Sequence, residues 1–237
     1  MELGLIKRKF TRQAPERWSE INAGQLIAIG MMYLGKTTDE DFLSRFLDIP
    51  KRICRKLDSF QIYCLVDVAN FMSDFKPREN FIIKKVSGGI PPAAKLNKLS
   101  FGRFIFIDTY FNDYAIEGND ENALNKFIAT LYWPARQKFN EELIQDRANQ
   151  IAQINPNIKQ AIAINYRLVK DWLALSYPAI FTSKASTNPE RKKDNVWLKV
   201  YDSIVGDDLI NHEKYAHLSL HDALRFITRK IKENVKG

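Results

Sequence analysis

Apolar residues along this chain recur mostly at three- and four-residue steps, the spacing that lines one face of a helix. Leu26, Ile29, Met32 and Tyr33 make the first such stripe, and Asn22 with Gln25 three places on supplies its start signal, so a helix is predicted over about 22–34. Thr38 opens a second helix reaching about 48, and Pro50 separates it from a third over about 51–72, broken near Asp58 and Ser59. Residues 78–99 change character. Phe81-Ile82-Ile83-Lys84-Lys85-Val86 is β-like and leads into Ser87-Gly88-Gly89-Ile90-Pro91-Pro92, a loop by its turn residues. A long excursion of this kind tends to be functional, which makes Ile90, Pro91 and Pro92 candidate partner contacts.

Helical spacing resumes over about 101–116 and about 121–133, the latter carrying Leu124, Phe127, Ile128 and Leu131 on one stripe before Pro134 interrupts. Two more helices follow at about 139–153 and about 157–176, where Ile158, Ile162, Tyr166, Val169, Trp172 and Leu173 keep the step until Tyr177-Pro178. The run from Thr182 to Lys193 is polar, charged and proline-containing, the composition of a linker or exposed loop. Beyond it, Trp197, Val200, Tyr201 and Ile204 form a helix ended by Gly206, and Ser219 with Asp222 starts another whose apolar face is Leu220, Leu224, Ile227 and Ile231.

The fold class these patterns predict is mainly α: a multi-helix body over 1–181 with a short β-like arm near 78–99, a linker at 182–194, and a two-helix extension over 195–237. Two helices bury little by themselves, so the extension should dock through Trp197, Tyr201, Leu220, Leu224 and Ile227, on its own body or on another chain. These five join the loop residues as candidate contacts.

Composition narrows the function classes. The 237 residues are 45% hydrophobic and 12% aromatic, ample for a packed core. No stretch approaches the roughly 18 consecutive apolar residues of a membrane span, and Met1 to Lys7 lacks a secretory apolar region, so a soluble intracellular protein is expected. Cys54 and Cys64 read as reduced core residues. The net charge of +8 permits nucleic-acid or acidic partners. Its clusters, at Lys7–Arg17, Lys51–Lys56, Arg191–Lys193 and Arg225–Lys236, carry no aromatic interleaving of a nucleic-acid module, so DNA or RNA is not the favoured partner.

One chemical motif is conspicuous. Gly30-Met31-Met32-Tyr33-Leu34-Gly35-Lys36-Thr37 matches the phosphate-loop pattern, and Phe104-Ile105-Phe106-Ile107-Asp108 looks like the apolar strand whose terminal acid holds magnesium. A nucleotide-dependent enzyme would use Gly30, Gly35, Lys36, Thr37 and Asp108. Against it, Asp39, Glu40 and Asp41 occupy the helix start that a phosphate needs, the loop residues are bulky, and both segments also read as helical. The match is therefore taken as a decoy in a helix–turn–helix, and no cofactor is expected. His212, His217 and His221, with Glu213 or Asp222, invite a zinc reading, but Ser219 should cap a helix between the last two histidines. Asp207-Asp208 and the pair Asp113/Glu117 have no adjacent nucleophile or base and read as turn and solvated helix face.

The tail residues Trp197, Gly206-Asp207-Asp208, Tyr215, Leu218, Leu220, Leu224 and Phe226 resemble helical modules of tail-assembly and other morphogenesis proteins of bacteriophages and prophages. Asp108-Thr109-Tyr110-Phe111, Leu131-Tyr132-Trp133-Pro134, and Asn165-Tyr166 through Trp172-Leu173 to Tyr177-Pro178 are similar to prophage proteins of Bacteroidetes-type hosts. The resemblance spans about residues 100–235, and its motifs concern packing rather than chemistry. It implies a non-enzymatic structural or assembly protein acting at the tail or neck of the particle. Its partners would be other phage structural or tail proteins or further copies of itself, in the host cytoplasm during assembly or in the virion, with no membrane partner.

Overall fold

The computed structural model describes residues 13–67, 69–116, 120–181, 196–206 and 212–234. Among these residues lie twelve α-helices and no sheet, so the protein is mainly α. The β-like arm is reduced to isolated bridges, Val86 with Gly89 and Ile90 with Trp133. The chain separates into two compact units, Met1–Lys76 and Pro77–Gly237. That division differs from the expected body and extension, because the C-terminal helices bury their apolar faces within the second unit. The anticipated linker at 182–194 lies outside the described residues.

In the first unit, α1 (Ala23–Tyr33) starts with a capping box. The Asn22 side chain accepts from the Gln25 N–H at 3.0 Å, and the Gln25 side chain accepts from the Asn22 N–H at 2.9 Å. Thr38 caps α2 (Asp39–Phe46) through the Asp41 N–H at 3.3 Å. Leu26, Ile29, Phe42, Leu43 and Phe46 are buried and form the core of this unit with Trp18. Trp18 stacks on Phe75 at 5.3 Å, and its indole N–H donates to the Asp74 carbonyl at 2.9 Å, tying the unit's start to its end. The third predicted helix divides at the expected break near Asp58 and Ser59, giving α3 (Lys51–Cys54) and α4 (Ser59–Asp67).

The second unit is built on α5 (Phe101–Ile116), α6 (Glu121–Leu131), α7 (Ile144–Ala152) and α8 (Pro156–Ser176). Pro156 occupies the first turn of α8, where its missing N–H costs nothing. Phe111, Phe127 and Tyr166, one from each of α5, α6 and α8, meet with ring centroids 4.8 to 5.2 Å apart. Short α9 (Pro178–Phe181) follows, then α10 (Val196–Val205), α11 (His212–His217) and α12 (Leu220–Asn234). The last two are stitched to α5 by backbone bonds, Phe101 N–H to Leu218 and Leu220 N–H to Leu99, both 2.8 Å. At Gly102 an added Cβ would lie 3.1 Å from Ala216, which sets the close approach of α11 to α5.

The carbonyl end of α6 is closed by two arginines. Arg103 donates to the Thr130 and Leu131 carbonyls and Arg147 to that of Tyr132, each at 3.0 Å, so positive charge meets the negative end of the helix. Burial, with the Arg147 charge nearby, pushes the Arg103 guanidinium down to about 10. The loop preceding α5 passes directly over this end. A Cβ at Gly89 would sit 2.1 Å from the Tyr132 carbonyl oxygen, so only glycine lets Ile90 bridge to Trp133.

Candidate functional site

The phosphate-loop match folds as a helix ending. Gly30 is buried inside α1, and the backbone N–H groups that would face phosphate close the helix instead: Leu34 to the Gly30 carbonyl, Gly35 to Met32 and Lys36 to Met31, at 2.9 to 3.2 Å. Gly35 takes φ +61°, the left-handed conformation that ends many helices. Lys36 is exposed, and the Thr37 hydroxyl donates to the Thr38 carbonyl at 3.2 Å. The segment is thus helix, turn, helix.

Asp108 lies in the middle of α5 rather than at a strand end, and it is the centre of a buried polar cluster. Its side chain is 1% exposed. Lys170 reaches Oδ1 at 2.7 Å, the Tyr166 hydroxyl donates to Oδ1 at 3.0 Å, the Trp197 indole N–H donates to Oδ2 at 2.7 Å, and the Asn112 amide donates to Oδ2 at 3.1 Å. Four protein donors on one carboxylate link α5, α8 and α10. Burial holds the Tyr166 hydroxyl well above the ordinary tyrosine value, and the Asp108 charge adds to that effect. The arrangement explains the aspartate as a packing hub for the C-terminal helices.

The candidate contacts divide. Trp197, Leu220, Leu224 and Ile227 are buried within their own unit, so the docking is intramolecular and these four are not available to a partner. Trp197 packs on Phe104 at 5.0 Å, and half-buried Tyr201 lies 6.3 Å from Phe101. Periodicity marked these residues as a contact face without telling whose surface they meet. Ile90 is 43% exposed while Pro91 and Pro92 are half-buried.

His217 is exposed, while His221 is held between two partners. Its Nε2 lies 2.7 Å from the Lys95 carbonyl, which can only accept, so Nε2 carries the hydrogen and Nδ1 accepts from the Tyr177 hydroxyl at 2.8 Å. No group of three metal-ligating side chains comes together among the described residues. The His212 side chain, Glu117 and Asp207-Asp208 lie outside those residues. Cys54 is buried as expected of a core thiol, but Cys64 is exposed, because α4 turns its side chain outward.

Two surfaces went unrecognised in the sequence. The first is α4: Phe60, Ile62, Tyr63, Cys64, Leu65 and Val66 make it apolar, yet none of its residues is buried, and Phe60 and Tyr63 are 75% and 70% exposed. The second is a cationic groove along α12 and the end of α8. It consists of three adjoining concavities of about 560, 360 and 410 Å³, all lined by Arg225. Tyr177, Arg229 and Lys232 line the largest, and Lys95, Trp172 and His221 lie at the other end. The basic run from Arg225 is visible in the sequence, but the Trp172 and Tyr177 rings beside it lie some fifty positions away, which no local pattern reveals.

No known protein family, curated protein or solved structure matches the chain.

Proposed function

We propose that this protein is a non-enzymatic structural or assembly component of a bacteriophage particle, working at the tail or neck, and that α4 is the surface through which it binds another particle protein. The observation that carries the protein-contact part is α4 itself. Isolated exposed apolar residues are ordinary, but Phe60 and Tyr63 stand one helical turn apart on a helix with no buried residue. Each large side chain withdrawn from water stabilises by roughly 1.5–3 kcal/mol, so a partner covering both gains on the order of 3–6 kcal/mol. Arg52, Arg55 and Lys56, which precede the helix and are exposed, suit a partner with an acidic rim. The phage setting rests on the resemblance of about residues 100–235 to morphogenesis proteins.

The test is the double variant Phe60→Ser with Tyr63→Ser, expressed in the host during phage growth. It should fold as the parent does, fail to co-purify with particle proteins, and lower the yield of complete particles. A folded double variant that still supports normal particle yield and co-purification ends this reading of α4.

A further inference from the structure

The groove along α12 belongs to the second unit and is independent of α4. Its cations are poorly neutralised. Arg225 pairs with Asp222 at 3.4 Å and Arg229 with Glu233 at 3.9 Å, and all four side chains are mostly exposed. Pairs of this kind contribute little and exchange readily for a better carboxylate. Lys232 adds a further charge to the lining, and Lys95, at the other end, pairs with Glu79 at 3.4 Å with both side chains about half exposed. Beneath the charged heads the surface is carbon: the Tyr177 ring, the Phe226 ring under Arg229 at 5.4 Å, and the aliphatic stems of the arginines.

We infer that this groove binds an acidic segment of a partner protein that also carries apolar side chains, the carboxylates meeting Arg225, Arg229 and Lys232 while an apolar side chain enters the concavity beside Tyr177. Guanidinium forks hold carboxylates through paired hydrogen bonds, and the carbon floor rewards an apolar neighbour. The same cations and rings suggest a single-stranded nucleic acid, but the rings are committed. Tyr177 stacks on His221 at 5.8 Å, and Trp172 has Lys95 over its face at 6.0 Å and His221 at its edge at 6.3 Å. Bases need free aromatic faces, and these are already taken up by His221 and Lys95. The inference rests on the protein-contact reading for the class of its occupant, though not on α4.

The experiment is fluorescence anisotropy with the full chain and a fluorescein-labelled peptide repeating Glu-Glu-Leu-Phe. The comparison ligands are a Glu-Glu-Ser-Ser peptide, a Lys-Lys-Leu-Phe peptide and an oligo(dT) of equal net negative charge. The acidic-apolar peptide should bind at least about tenfold tighter than each of them. The double variant R225E/R229E, at exposed positions that leave the fold intact by circular dichroism, should lose at least about tenfold in affinity, while R225K/R229K should keep most of it. The inference is overturned when the peptide does not bind, when R225E/R229E binds it unchanged, or when oligo(dT) binds as tightly. Phe60→Ser with Tyr63→Ser should leave peptide binding intact, so a failure of the α4 contact and a failure of the groove give separate signatures.

Discussion

At the residue scale, the largest energetic consequence falls on Asp108. Replacing it with alanine strips Lys170, the Tyr166 hydroxyl and the Trp197 indole of their common acceptor, and Lys170 is only 21% exposed. Removing one partner of a buried ion pair costs about 3–5 kcal/mol, so Asp108→Ala should lower the urea midpoint by that equivalent. A midpoint within error of the parent would mean that the cluster contributes nothing to stability. The buried tyrosines set an alkaline limit. The Tyr132 hydroxyl donates to the Ile83 carbonyl at 2.9 Å, and burial raises its pKa above the ordinary 10.0. A tyrosine whose folded value is raised contributes stability below its unfolded value of about 10 and loses it as pH rises toward the folded one. Urea midpoints followed upward from about pH 9 should therefore fall less steeply in Tyr132→Phe than in the parent, and identical slopes would refute the assignment.

At the scale of elements, local signals were legible wherever a cap or a turn residue sets the outcome. Asn22 with Gln25 and Thr38 with Asp41 start helices where their spacing says they should, and the Gly35 turn closes α1. Gly35→Ala should cost about 1 kcal/mol through the left-handed backbone alone, since no atom crowds the position and a clash adds nothing. Lys36→Ala should leave both the melting temperature and any calorimetric response to ATP unchanged. Nucleotide heat present in the parent and absent in this variant would favour an enzyme over an assembly protein. The α4 double variant belongs here too: its unfolding free energy should stay within about 0.5 kcal/mol of the parent, the range for surface positions. A larger loss would place Phe60 and Tyr63 in the protein's own packing. The β-like run Phe81–Val86 did not become a strand, because its backbone groups bond to side chains and to its own turn rather than to a second extended chain: the Ile82 N–H donates to Asn165, the Tyr132 hydroxyl donates to the Ile83 carbonyl, and Val86 exchanges bonds with Gly89.

At the scale of the whole molecule, the two units carry separate cores. Residues 77–237 produced alone should unfold in one transition with Trp197 protected from aqueous quenchers. A piece ending at 194 should expose Phe101 and Phe104, which Trp197 covers, and lose cooperative unfolding. Cooperative folding of the shorter piece would show that the C-terminal helices are not needed for this unit's core.

The sequence alone determined the helical class, most helix starts, and the apolar faces of α8 and α12, because caps and the 3.6-residue period depend only on neighbours along the chain. It also identified Trp197 as a docking residue. Only the tertiary structure decided that Trp197 meets Asp108 in its own unit, that the chain separates into compact units at Lys76, and that α4 stays exposed. The physical reason is the same in each case. An apolar stripe states that a surface must be covered, but the covering partner is chosen by chain segments far away in sequence, and burial becomes visible only when those segments are in place.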